Sequence, residues 1–168
     1  MRRILILAVS FLIGLFFVNN CFADEKIARD LVEYINQGIL RIGEIETKSL
    51  EKYSSVIGEN YTTDELVYTT LKDDVIPLYK RFYEALRQIS PKTETVMKLH
   101  SIYVRGVRDI NEGFNLKRLG LELKNDDIVL TANKKIEAGS EDVREWKRQL
   151  VELCKKHGVG SKESEKQK

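Results

Sequence analysis

The sequence predicts an all-α protein, an up-down-up-down antiparallel four-helix bundle of long helices with a kink near Pro77. Apolar residues recur at helical spacing along four long segments, and only two prolines interrupt the chain. Neither strand-like alternation nor an Asn-Gly or Asp-Gly hairpin signal occurs. Because turns of a few residues join the segments, consecutive helices are expected to run antiparallel.

Residues 1–23 are predicted to be a signal peptide. Arg2 and Arg3 precede an apolar run of 15 residues from Ile4 to Val18, and Ala23 supplies a small residue before the cut. The run is shorter than the roughly 20 residues that span a membrane. We therefore expect an exported protein, periplasmic or extracellular, with no transmembrane span in the mature chain.

Two alternatives remain for this leader. Cleavage before Cys21 would make that cysteine a lipid anchor, but Asn20 is not the small residue that such a signal needs before the cysteine. An uncleaved leader would instead tether the chain through its apolar run. Cleavage after Ala23 is the interpretation that we adopt.

Loss of the leader changes the charge and the cysteine count. It removes two arginines and no acidic residue, so the mature chain has 26 basic and 26 acidic side chains. A neutral chain has no general attraction to nucleic acid, and nucleic-acid binding is not expected. Cys154 becomes the only cysteine, which precludes an internal disulfide and leaves stability to helix packing.

Residues 24–157 are predicted to form the bundle, and its first two helices have clear ends. The first covers about 24–58 and ends near Gly58. The second starts after a cap at Thr62 or Thr63 and continues past Pro77, whose missing donor predicts a kink between Asp73 and Pro77. Its predicted buried stripe is Val67, Leu71, Leu78, Phe82, Ala85, Leu86 and Ile89.

The third and fourth helices are predicted at about 91–124 and 127–157. Ser90 and Pro91 read as the cap and first residue of the third helix. The pattern weakens around Gly113, where we expect a bend or a second contact surface, and again at Ala138-Gly139-Ser140. Gly158 is expected to stop the last helix, and residues 158–168 to form a disordered tail.

Motifs for familiar enzyme chemistry are missing from the sequence. Neither histidine follows a glutamate by three residues, as a di-iron bundle requires, and no phosphate-binding glycine loop or Gly-x-Ser-x-Gly elbow occurs. Enzymatic activity is therefore not expected, and no cofactor is implied.

One candidate metal or redox site follows from topology. A turn near residue 125 would bring His100, on the third helix, close to Cys154 and His157 on the fourth. Imidazole and thiolate are ligands for soft and borderline metals. The competing interpretation is that these three are packing residues, with His157 placed favourably at a helix C-terminus.

Aromatic residues on the second helix suggest a binding surface. Tyr68, Tyr79 and Tyr83 flank its main stripe, and they form either an exposed strip for a protein or hydrophobic ligand or a contact with a second helix. Asp74 lies in the stripe and is expected to pair with Arg105 or Arg108. The leading hypothesis is an exported, non-enzymatic bundle that binds a protein partner or hydrophobic ligand, and the alternative is a metal-binding or redox bundle.

Overall fold

The computed structural model describes residues 24–160, which form four long helices. Helix α1 covers residues 24–54 and contains a π-helical turn at Tyr34–Ile39 before the α-helical part Leu40–Ser54. Helix α2 consists of Asp64–Thr70, a π-helical turn at Leu71–Val75, and Ile76–Arg87. Helices α3 and α4 cover Glu94–Glu122 and Asp126–Lys156. The all-α prediction is confirmed, and this part of the chain contains no strand.

Contacts between the helices define an up-down-up-down bundle. The Ser49 hydroxyl near the end of α1 donates to the Val75 carbonyl in the middle of α2. Tyr34 contacts His100 near the starts of α1 and α3, and Tyr53 contacts Phe114 farther along both helices, so α1 and α3 run parallel. No helix between residues 24 and 160 combines the length and the apolar character needed to cross a membrane.

Helix ends follow local capping chemistry. The Thr63 side chain accepts a hydrogen bond from the Leu66 amide, and Asn125 caps α4 in the same way through the Ile128 amide. After α4, Gly158 takes a φ of 65°, and the Val159 amide donates to the Cys154 carbonyl in a Schellman turn. Gly158 thus lies in the turn that ends α4, and the tail predicted for residues 158–168 stays a prediction.

The irregularity predicted near Pro77 takes the form of the π-helical turn at Leu71–Val75. This wider turn closes with a hydrogen bond from the Ile76 amide to the Leu71 carbonyl. The extra residue rotates the rest of α2, so the buried positions after Leu71 are Val75 and Tyr79 instead of Leu78. The predicted stripe is therefore wrong in its middle, because it assumed unbroken α-helical spacing.

Glycines allow α3 and α4 to pack closely. Gly106, Gly113 and Gly120 recur every seven residues on α3 and face α4. A Cβ added at Gly139 would lie 2.5 Å from the Gly106 carbonyl oxygen, and one added at Gly113 would lie 2.5 Å from the Ile136 side chain. The segments that weaken the sequence pattern are thus points of close helix contact, and α3 continues through them without a break.

Residues 1–23 and 161–168 lie outside the described residues. The predicted signal peptide, the Cys21 alternative and most of the predicted tail fall on them. These interpretations stay predictions.

Gly139→Ala should lower the free energy of unfolding by about 1–3 kcal/mol, because the new methyl group meets backbone atoms of α3 that cannot move independently. Gly43 on α1 is the matched control: nothing lies within 4 Å of a Cβ added there. Gly43→Ala should therefore raise the free energy of unfolding by roughly 0.5–1 kcal/mol through helix propensity. Urea unfolding measures both variants, and equal stabilisation by the two would contradict the close helix contact.

Candidate functional site

A buried carboxylate on α1 fixes the turn between α2 and α3. Asp30 is 5% exposed, and it accepts hydrogen bonds from the backbone amides of Lys92 and Thr93 and from the Thr93 hydroxyl. It therefore satisfies amides that precede α3, which begins at Glu94. The predicted helix start at Ser90 and Pro91 is wrong, because the cap is supplied by a residue that is remote in sequence.

This turn forms one end of a groove between α2 and α3. The groove has a volume of about 640 Å³, within the range typical of ligand sites. Met97 on its wall is 47% exposed. Its lining contains no carboxylate and consists of Tyr83, Ile89, Ser90, Pro91, Met97, His100, Ser101, Val104, Arg105 and Arg108.

His100 connects the groove to the core. The ring is 9% exposed, and its Nδ1 lies 3.3 Å from the Tyr34 hydroxyl on α1. That hydroxyl accepts a hydrogen bond from the Trp146 indole on α4 at 3.2 Å. The Tyr34 hydroxyl can therefore donate its own proton to His100 Nδ1, and in that tautomer the proton of the neutral ring is on Nε2. Nε2 makes no hydrogen bond within residues 24–160 and is the ring nitrogen left to face the groove.

Burial determines the protonation of this network. Desolvation lowers the pKa of His100, because burial away from water disfavours the charged imidazolium. Desolvation also raises the pKa of Tyr34, and the Trp146 hydrogen bond only partly opposes this effect. Both groups are therefore neutral near pH 7, and the groove has a neutral imidazole N–H at its floor.

Two arginines of α3 also line the groove. Arg105 donates through Nε and Nη2 to Asp142 on α4, each at 2.6 Å, and Arg108 donates through Nε to Asp109 at 3.1 Å. Neither carboxylate lines the groove. Each guanidinium keeps Nη1 without a partner in the described part of the chain, so both retain donors for a further acceptor.

The groove carries donors and apolar surface, but it does not contain a nucleophile paired with a base. The hydroxyl of Ser101 donates to the Lys98 carbonyl at 2.7 Å, and the one histidine in the lining is paired with Tyr34. The arrangement is therefore suited to holding a ligand rather than to acyl or phosphoryl transfer.

The predicted metal ligands do not come together. Gly106 faces Gly139, so moving six residues back along α3 to His100 reaches the region of Trp146 on α4, well before Cys154. His157 lies 3.4 Å from Asp24 at the start of α1, about 15 Å along that helix from Tyr34. Within residues 24–160, no group of three or more His, Cys, Asp or Glu side chains is placed to hold a metal ion.

Cys154 is a half-buried free thiol. Burial raises its pKa, which favours the protonated form over the thiolate that binds metals and reacts. This environment is that of a packing residue.

The three predicted binding tyrosines have different environments. Tyr79 is fully buried and packs edge-to-face against Phe82 and Phe114, so its assignment to an exposed strip is wrong. Tyr83 is half-buried and lines the groove, below the guanidinium of Arg87. Tyr68 lines a separate hollow at the other end of the bundle.

Asp74 does not pair with either arginine of α3. Its carboxylate is half-exposed and lies 3.7 Å from Lys52 on α1. The π-helical turn in α2 rotates this side chain away from the stripe in which the sequence pattern placed it.

Sequence reasoning missed the groove and the roles of Asp30, Tyr34 and Trp146 around it. A signal was present, because Met97, Ser101, Val104 and Arg108 follow helical spacing beside the core stripe. No protein-family model, curated protein or solved structure matches the chain. The functional argument therefore depends on the geometry.

Lowering the pH from about 7.5 to about 5.5 should lower the free energy of unfolding through His100. Its pKa is lowered in the folded state, so the unfolded chain binds the proton more tightly and gains stability as the pH falls below the ordinary value of 6.5. Urea unfolding at several pH values measures this loss. In His100→Gln, which keeps an acceptor for Tyr34 but does not titrate, the loss should be smaller, and an equal loss in both proteins would contradict the assignment.

Proposed function

We propose that this protein is exported and binds a small hydrophobic ligand, without catalysing a reaction, in the groove between α2 and α3. The observation that carries the proposal is the groove itself, with a volume of about 640 Å³ and a lining that includes the apolar side chains of Tyr83, Ile89, Pro91, Met97 and Val104. Isolated exposed apolar residues are common on any protein, but Met97 is exposed beside the partly buried Ile89 and Val104.

The packing beneath the groove supports a preformed site. Asp30 fixes the turn at one end, and the Trp146–Tyr34–His100 network holds the floor. A site whose walls are already ordered loses little conformational entropy when a ligand binds. Rigid walls therefore favour a binding role for the groove.

Export is the second part of the proposal, and it depends on the leader. Helix α1 includes Asp24, whose carboxylate lies 3.4 Å from His157 at the end of α4. A cut after Ala23 would keep this contact between the two ends of the bundle.

Expression with the native leader in a Gram-negative bacterium should release a periplasmic protein whose mass corresponds to a chain that begins at Asp24. Ala23→Arg places a large cation before the cut and should leave the leader attached, because the peptidase requires a small residue there. Intact-mass spectrometry distinguishes these products. A membrane-bound chain that begins with a lipidated Cys21 would refute this form of export.

The neutral dye Nile red should bind the mature protein and increase its fluorescence, because the groove offers apolar surface without requiring charge. Met97→Asp should weaken the binding about tenfold, since it places a carboxylate in the apolar wall. Leu130→Asp is the matched control: Leu130 is similarly exposed on α4 and does not line the groove. Equal weakening by both substitutions, or no binding by the wild type, would refute the proposed site.

A further inference from the structure

The groove changes in chemical character along its length. On α3, Met97 lies toward the end formed by Ile89 and Pro91, whereas Arg105 and Arg108 lie two to three turns farther along the helix. His100 lies between these two regions. The groove therefore has an apolar end and an end lined by two arginines, which pair with carboxylates outside the lining, about 16 Å apart along α3.

The middle of the groove and its arginine end both present hydrogen-bond donors. The guanidinium of Arg105 is held toward Asp142 on α4, and that of Arg108 lies near Asp109 and Glu112 on its own helix. The Nη1 groups of both arginines are free of partners in the described chain, and Nε2 of His100 is a donor that faces the groove. Three donors line the groove and no carboxylate does, which favours an anion over a cation.

The contacts that orient Arg105 and His100 favour an anion in the groove over a cation or a neutral ligand. Asp142 holds Arg105 through two hydrogen bonds, and Tyr34 holds His100 from below. Arg87, which lies over the Tyr83 ring, adds positive charge near the same wall. An apolar ligand without a charged group would leave the His100 N–H covered and without a hydrogen bond, which carries a desolvation cost.

We propose that the groove binds an amphipathic organic anion of the fatty-carboxylate type. The carboxylate accepts hydrogen bonds from His100 Nε2 and from the free edges of Arg105 and Arg108, and the alkyl chain lies against Met97, Ile89 and Pro91. This inference rests on the proposed function, and it adds the chemical class of the ligand. It involves no bond making or breaking.

Decanoate and decanol, which share an alkyl chain and differ in the charged head, test the proposal by displacement of Nile red from the mature protein. Decanoate should displace the dye at a concentration at least about tenfold lower, because hydrogen bonds to a charged group are stronger than neutral ones. Added salt should weaken decanoate and leave decanol unchanged, since the guanidinium groups are solvent-exposed.

Arg108→Gln should reduce the preference for decanoate over decanol about tenfold while the affinity for decanol stays the same. Arg108 is suitable because its ion-pair partners, Asp109 and Glu112, lie on its own helix, so its loss removes no ion pair between helices. Arg118→Gln is the matched control, since Arg118 pairs with Glu122 within α3 and does not line the groove. This control should keep the full preference.

The side-chain NMR signals of the two histidines provide a direct readout. Decanoate should shift the Nε2 signal of His100 and leave that of His157 in place. Equal affinities for decanoate and decanol would overturn the assignment of an anionic ligand. If Nile red still binds at Met97 in that case, the proposed hydrophobic-ligand site is unaffected. Absence of dye binding to the wild type would overturn both.

Discussion

The close approach of α3 and α4 at Gly106 and Gly139 sets the register on which the rest of the bundle depends. Each of these residues would place a Cβ within 3 Å of the backbone of the other helix, so neither helix can slide by one residue without a clash. Ala132 and Gly139 occupy successive heptad positions on α4, and Trp146 follows at the next one. The register of α3 and α4 therefore fixes the position of the Trp146 indole along the bundle.

At that level the packing changes from small residues to large aromatic ones. The Trp146 ring stacks on Tyr103 with centroids 3.8 Å apart, and its N–H reaches Tyr34 on α1. Large buried rings bring polar atoms into the core, and these atoms need partners. Tyr103 donates to Glu46 at 2.7 Å, and desolvation raises the pKa of that carboxyl group. The core is thus held by a few specific hydrogen bonds as well as by apolar burial.

Local signals predicted the fold well, whereas the features that shape the groove arise from tertiary contacts. Thr63 and Gly158 mark helix ends through bonds to nearby backbone, so the sequence alone places them. Asp30 caps a helix more than 60 residues away, and no local pattern connects the two. Gly113 and Gly139 lower helix propensity locally and were interpreted as weak points, although they permit the close helix contact. The π-helical turn in α2 likewise rotated Tyr79 into the core against simple helical periodicity.

The surroundings of His100 in the candidate site depend on the close contact between Gly106 and Gly139. The prediction that His100 lies near Cys154 and His157 assumed a turn near residue 125. The register of α3 and α4 in the structure differs from that assumption by about one helical turn. The glycine contact instead sets His100 level with Trp146, which donates to Tyr34 and leaves the Tyr34 proton for His100 Nδ1. The proton of the neutral imidazole is then on Nε2, toward the groove and the arginines. A packing constraint on one side of α3 thereby places His100 beside Tyr34, and when Nδ1 accepts from Tyr34 the imidazole presents a hydrogen-bond donor to the groove, which suits an anion better than a metal ion.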